Sequence, residues 1–322
     1  MSPLRMLSAL LLVALTAGGC ELAEVAAPES EDILTVEALL RVGQPRQRVL
    51  LHRSVEGRLI RGEPGAEVTV AGPNGLAVSF QAAQLSECLL EVTDSIYVEE
   101  TAIEASCYIS PQGAGFFVQP GNRYDLRIET QRGEVVRGRT DVPGNFGFRN
   151  PVVALDPEER VGFCTLSDKP FELAWGRSEG AWAYLVALRH TGWGSDLKGE
   201  GVEVPDPLDL LAVAVSAADT TLLFPENVGL FDRFDIDRRV FEELEKGLPR
   251  ADTSVLSILA TDRNYTNAIR GGRFNPSGNV RFSSVIGDGV GLFGSVVQVT
   301  IRSSVGSGGT RPPACQTADL PG

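Results

Sequence analysis

Apolar and polar residues alternate along much of the chain with a period of two. That spacing buries one face of a β-strand and leaves the other to water. Ile33 to Leu40 is the first such run, and Val42-Gly43-Gln44-Pro45 turns after it. Arg48 to Arg53 is the second. Glu67 to Val70, the turn residues Gly72-Pro73-Asn74-Gly75, and Leu76 to Phe80 read together as a hairpin. A clearer hairpin follows: Tyr124 to Glu129 alternates, Gln131-Arg132-Gly133-Glu134 turns, and Val135 to Thr140 returns. No helical stretch interrupts this region, so residues 33–142 are expected to form a β-sandwich. Asp141 to Pro151 loses the alternation and carries two Pro and two Gly, which marks a domain boundary.

The second region, 150–302, opens with Pro151-Val-Val-Ala-Leu155. Strands are predicted at Phe171 to Trp175, at Ala181 to Arg189 after the turn Ser178-Glu-Gly180, and at Ser254 to Ala260. Leu208 to Val215 fits a strand or a helix. Asp235 to Gly247 reads as a helix, with Ile236, Val240 and Leu244 on one face, acids at its start and Gly247 at its end. Asp232, Asp235 and Asp237 are better taken as capping and dipole-matched acids than as metal ligands. Asp262-Arg-Asn-Tyr265 begins a turn or short helix. Val290 to Ile301 is the last long strand, and its glycines indicate a bulge or a close backbone approach. Residues 303–322 are rich in Gly, Ser and Pro and read as a loose tail apart from Cys315. Trp175 closing one strand and Tyr184 within the next resemble a fibronectin type III core. The expected class is therefore mainly β: two β-sandwich domains, immunoglobulin-like or fibronectin type III-like, with one or two short helices in the second.

The chain begins differently. Arg5 precedes an apolar run from Met6 to Leu15, too short to span a bilayer as a helix. Small residues, Ala17-Gly18-Gly19, lead directly to Cys20, which makes 1–19 a signal peptide. The motif resembles the bacterial lipobox, with Ala17 where that signal usually has Leu. The resemblance implies cleavage before Cys20, acylation of Cys20, and, because Glu21 rather than Asp follows, sorting to the outer membrane. Acyl chains contribute about 0.8 kcal/mol per buried CH₂, so several of them hold a protein stably. Residues 20–32 are small, polar and acidic, and read as a flexible tether.

The net charge of −13, from 29 basic and 42 acidic residues, argues against nucleic acid as a partner and against a basic patch for anionic lipid. Setting Cys20 aside leaves Cys88, Cys107, Cys164 and Cys315, an even set that suggests two disulfides in an exported protein. Three connectivities are possible. Cys88–Cys107 with Cys164–Cys315 is preferred, because each pair then lies within one expected domain. Zinc is disfavoured: there is no Cys-x-x-Cys, and the two histidines, His52 and His190, are distant in sequence. Glu91, Asp94, Glu99, Glu100 and Glu104 lie between Cys88 and Cys107, but without the spacing of a calcium loop.

No nucleophile elbow, phosphate-binding loop or zinc-protease helix occurs, and no cofactor motif is present. His190 could pair with a serine in a triad, but reads as a solvent-facing strand end. Paired carboxylates of the glycosidase kind are open, since any two of many acids could meet. Of the three tryptophans, Trp175 and Trp182 suit a core. Trp193, in a glycine loop, is the candidate ligand contact.

Four stretches taken together carry a wider resemblance: Ile33 to Ala38, Gly65 to Val70, Gly121 to Thr130, and Asn275 to Gly294. Behind a lipobox they resemble an uncharacterised lipoprotein family common in Bacteroidetes, domain of unknown function four-two-four-nine. That resemblance implies a cell-envelope lipoprotein, often encoded beside TonB-dependent outer-membrane receptors, and brings no catalytic residues with it. The expected function is a non-enzymatic binding or accessory module of such a transport system. A lipid-anchored hydrolase of glycans or peptides and a structural or adhesive surface protein are the alternatives.

Overall fold

A computed structural model describes residues 32–55, 59–88, 105–113, 117–193, 204–214, 216–229, 236–248, 253–271, 283–304 and 312–317. Cys20, the expected tether except Asp32, and the five acids between Cys88 and Cys107 lie outside these residues, as do Asp232 and Asp235.

The fold is mainly β. In the first region the strands are β1 (Ile33–Arg41), β2 (Arg48–Val55), β3 (Leu59–Gly62), β4 (Glu67–Ala71), β5 (Ala77–Ala83), β6 (Ser106–Ile109), β7 (Arg123–Glu129) and β8 (Val135–Asp141). A 3-10 turn at Pro73–Gly75 and a one-turn helix, α1 (Leu85–Cys88), punctuate them where only strands and turns were expected. The second region contributes β9 (Phe148–Asn150), β10 (Val161–Phe163), β11 (Phe171–Trp175), β12 (Ala183–Thr191), β13 (Leu208–Val213), β14 (Thr221–Phe224), β15 (Thr253–Thr261), β16 (Val285–Gly287) and β17 (Gly289–Ser304). Its two described helices are α2 (Arg238–Leu244) and α3 (Arg263–Gly271). The ambiguous run from Leu208 is thus a strand. Asp237 caps α2, its carboxylate accepting from the Arg239 backbone N–H at 3.0 Å.

Alternation dictates the packing. Leu34, Val36, Ala38 and Leu40 of β1 point inward, as do Val49 and Leu51 of β2. Val68 and Val70 of β4, Tyr124, Leu126 and Ile128 of β7, and Val136 of β8 meet them in one core. The Tyr108 hydroxyl crosses to the loop before β4, accepting from Ala66 N at 2.9 Å and donating to the Glu63 carbonyl at 2.7 Å. In the second region Phe171, Leu173 and Trp175 line the buried face of the small sheet β14-β11-β9. Trp175 meets Tyr184 of β12 edge to face, 5.5 Å between centroids, and the Tyr184 hydroxyl accepts from Ser178 N at 2.7 Å.

The large sheet runs β13-β12-β15-β17-β1-β2-β6-β5-β4-β7-β8-β16, with β10 beside β17 and β3 beside β2. Only Asp288 separates β16 from β17. Residues 285–287 pair with β8, and residues 289–296 pair in parallel with β1. The strand path that leaves β1 through β2 therefore returns to it through this one segment near the C-terminus. The same β17 then pairs with β15 through residues 296–304. The two strand-rich regions are consequently joined by hydrogen bonding on both flanks of β17. Two glycines make the joint possible. Gly287 (φ +108°) and Gly291 (φ +134°) adopt backbone that other residues rarely take, and a Cβ on either would fall 2.1 Å from a carbonyl oxygen, of Val135 or Val36. The close approach expected from the glycines of this strand is present.

The tail is not loose throughout. Thr165 bridges to Ala314 and Val152 to Gln316, and Cys315 is tied to Cys164, so residues 312–317 dock on the second region.

Candidate functional site

Both disulfides have the preferred connectivity: Cys88–Cys107 and Cys164–Cys315. The first joins α1 to β6. The second closes a loop with a sequence separation of 151 residues.

The aromatic assignments change places. Trp193 is only 3% exposed and sits in the main core, with the His190 imidazole edge-on at 6.0 Å. It is not available as a ligand contact. Gly192, at φ +95°, turns the chain so that the indole folds back under the end of β12. Trp182, expected in the core, is 48% exposed, and the Arg263 guanidinium lies over its ring at 5.1 Å. It immediately precedes β12, whose residues from Ala183 to Leu188 are all buried.

His190 does not face solvent either. In β12 it lies opposite Ser254 of β15, and its Nδ1 is 2.9 Å from the Ser254 hydroxyl. Its Nε2 is buried with no hydrogen-bond partner among the described residues. Burial drives the imidazole pKa down to about 4, against a smaller upward pull from Asp206, so the ring is neutral near pH 7. The Asp206 carboxylate accepts from Gly192 N at 3.0 Å. Serine, histidine and aspartate are therefore neighbours without triad geometry. The acid is engaged elsewhere, and the hydroxyl and imidazole are both enclosed by the sheet.

Two polar clusters escaped the sequence reading. At the seam between the regions, Asp262 immediately precedes α3. One carboxylate oxygen accepts from Tyr265 N at 2.8 Å and the other from the Thr140 hydroxyl of β8 at 2.7 Å. The Thr140 hydroxyl is also 2.7 Å from the Ser295 hydroxyl of β17. Asn264 adds bonds from its amide to the carbonyls of Arg139 and Phe293, at 2.7 and 2.8 Å. Burial raises the Asp262 pKa to about 6, although the hydrogen bonds favour the anion. Elements from the first region, the shared strand and the second region thus meet on one carboxylate.

The second cluster lies beside the start of β1. Arg53, on β2, is completely buried and pairs with Glu63, Glu134 and Asp32. Asp32 also binds Arg61 and Arg132. Burial alone would lower the Arg53 pKa, but the bonds that its guanidinium donates to Glu134 and Glu63 outweigh it and raise it. Arg53 shares the inward phase of Val49 and Leu51, and Thr140 that of Val136. A charged or polar residue in an inward phase was the signal available for both clusters.

Among the described residues, no three His, Cys, Asp or Glu side chains gather as a metal site requires, and no helix is long and apolar enough to cross a membrane. No protein-family model matches the chain, and no curated protein matches it in sequence. Solved structures give faint likenesses. One is a DUF4785 family protein of Legionella pneumophila, at 11% identity and a TM-score of 0.20, covering 70% of this chain. The chain spans about half of that protein, 51% of its length. Another is the fibronectin(III)-like modules of Clostridium thermocellum CbhA, at 9% identity and a TM-score of 0.18, covering 84% of this chain and 95% of that one. Likenesses this faint carry no argument about function.

Proposed function

We propose that this is an exported β protein held to the cell envelope by acylated Cys20, acting as a binding or accessory module for an outer-membrane transport protein. The observation that carries the reading is the leader: a short basic and apolar segment, then Ala17-Gly18-Gly19-Cys20. The two disulfides support it, because such bonds persist in oxidising compartments. The resemblance to the Bacteroidetes lipoprotein family supplies the transport context. The non-enzymatic part of the reading draws on the buried, neutral His190 and its enclosed Ser254. Purification from mild-detergent extracts tests the partner: a receptor-like outer-membrane β-barrel should co-purify in a fixed ratio. Purification of the protein alone, from extracts in which such a barrel is present, would contradict the accessory role.

A further inference from the structure

We propose that residues 312–317 are a redox-sensitive strap, released from Val152 and Thr165 when a dithiol reduces Cys164–Cys315, while the rest of the fold stays in place. This release does not depend on Cys20.

The two disulfides are held differently. Cys88 and Cys107 are both buried, and each belongs to an element, α1 and β6. A single residue separates α1 from the end of β5, so Cys88 is fixed by the sheet. Cys164 is buried too, and directly follows β10, which pairs with β17 through Val161, Gly162 and Phe163. Cys315 is only half-buried, and its neighbours Pro313, Ala314 and Gln316 are exposed. No residue from 312 to 317 is fully buried.

Hydrogen bonds to two residues supplement the bridge. Thr165 donates from its backbone N–H to the Pro313 carbonyl at 2.8 Å and from its hydroxyl to the Pro312 carbonyl at 2.7 Å. Its own carbonyl accepts from Cys315 N at 2.9 Å, and Val152 N donates to the Gln316 carbonyl at 2.9 Å. Each such bond replaces one to water, so the net gain is small.

The separation of 151 residues between the two cysteines matters in the unfolded chain, where the bridge closes a long loop. In the folded protein β17 already carries the chain to Ser304, and only ten residues, Val305 to Ala314, lie between it and Cys315. There the bridge closes a short loop onto strands that are complete without it. Once it opens, that short link and the hydrogen bonds alone keep the two thiols close.

The exchange is a displacement at sulfur. A thiolate of the dithiol attacks Cys315 Sγ, the S–S bond breaks, and Cys164 Sγ leaves as a thiolate that takes a proton. The second thiol of the reductant then displaces Cys315, leaving two cysteine thiols and a reductant disulfide. Two electrons pass to the protein. With the strap released, Thr165 N–H and C=O and Val152 N–H lose their partners, which leaves a short open strand edge.

Titration of the folded mature protein with dithiothreitol tests this, with free thiols alkylated and mapped by peptide mass. Cys164 and Cys315 should be alkylated at a reductant concentration about tenfold below that needed for Cys88 and Cys107. At that concentration circular dichroism should stay native, and amide exchange should rise severalfold at residues 312–317, Val152 and Thr165 but not in β10. Removing the reductant should reverse the change. Reduction of both bridges only on unfolding, earlier reduction of Cys88–Cys107, or a tail that stays protected after reduction overturns the inference. The double variant Cys164→Ser, Cys315→Ser should fold and show the raised exchange without reductant. A double variant that cannot fold also overturns it, since the bridge would then hold the fold and not a strap.

Discussion

At the scale of single residues, the protein turns on which polar and aromatic groups are enclosed. Trp193 fills the core under β12, so Trp193→Ala should cost about 3–5 kcal/mol in chemical denaturation. Trp182→Ala removes an exposed ring and one cation–π contact, and should cost no more than about 1 kcal/mol. Sequence reading had the two reversed. A glycine neighbourhood suggested exposure for Trp193, whereas the turn at Gly192 directs the indole inward.

The buried titrating groups predict opposing pH slopes. His190 stays neutral in the folded chain down to about pH 4 but charges below about 6.5 when unfolded. Its contribution is complete above 6.5 and is lost as pH falls towards 4. Asp262 has a folded pKa raised to about 6 from 3.8. Its contribution is complete below 3.8 and is lost as pH rises towards 6. Between pH 4 and 6 the two offset one another. Relative to the parent chain, His190→Gln should therefore gain stability on acidification across that window, and Asp262→Asn should lose it. Urea midpoints from pH 4 to 7 check both signs.

At the scale of elements, strands with one wet face were legible. Phe171–Trp175 is copied residue for residue from its pattern, and both strands of the Tyr124–Thr140 hairpin agree to within one residue at each end. The helix from Asp235 was legible in kind but is shorter, Arg238–Leu244, because its cap is Asp237. The disulfide pairing was legible because each bridge joins cysteines of one region. What local pattern does not carry is partnership across long separations. Nothing in Ile33–Arg41 announces that its parallel neighbour lies more than 250 residues later. Nor do Thr140, Asp262 and Ser295 look like partners until β8, α3 and β17 converge. Each is an ordinary polar residue whose meaning depends on distant chain.

At the scale of the whole molecule, β17 is the common member. It completes the first region along β1 and the second along β15, and its leading segment β16 covers β8. A chain ending at residue 142 would leave the edges of β1 and β8 unpaired and the inward Phe293 absent from the core. Such a chain should aggregate, or lack the cooperative unfolding of the parent in circular dichroism. Adding residues 283–304 as a separate peptide should restore part of it.

The account of what the protein does depends most on its attachment. The direct measurement is fractionation of cells expressing the parent chain and Cys20→Ser, with intact-mass analysis of the mature N-terminus. The account predicts that the parent begins at an acylated Cys20 and sediments with membranes, and that the serine variant leaves them. A serine variant that remains in the membrane fraction to the same extent would contradict it.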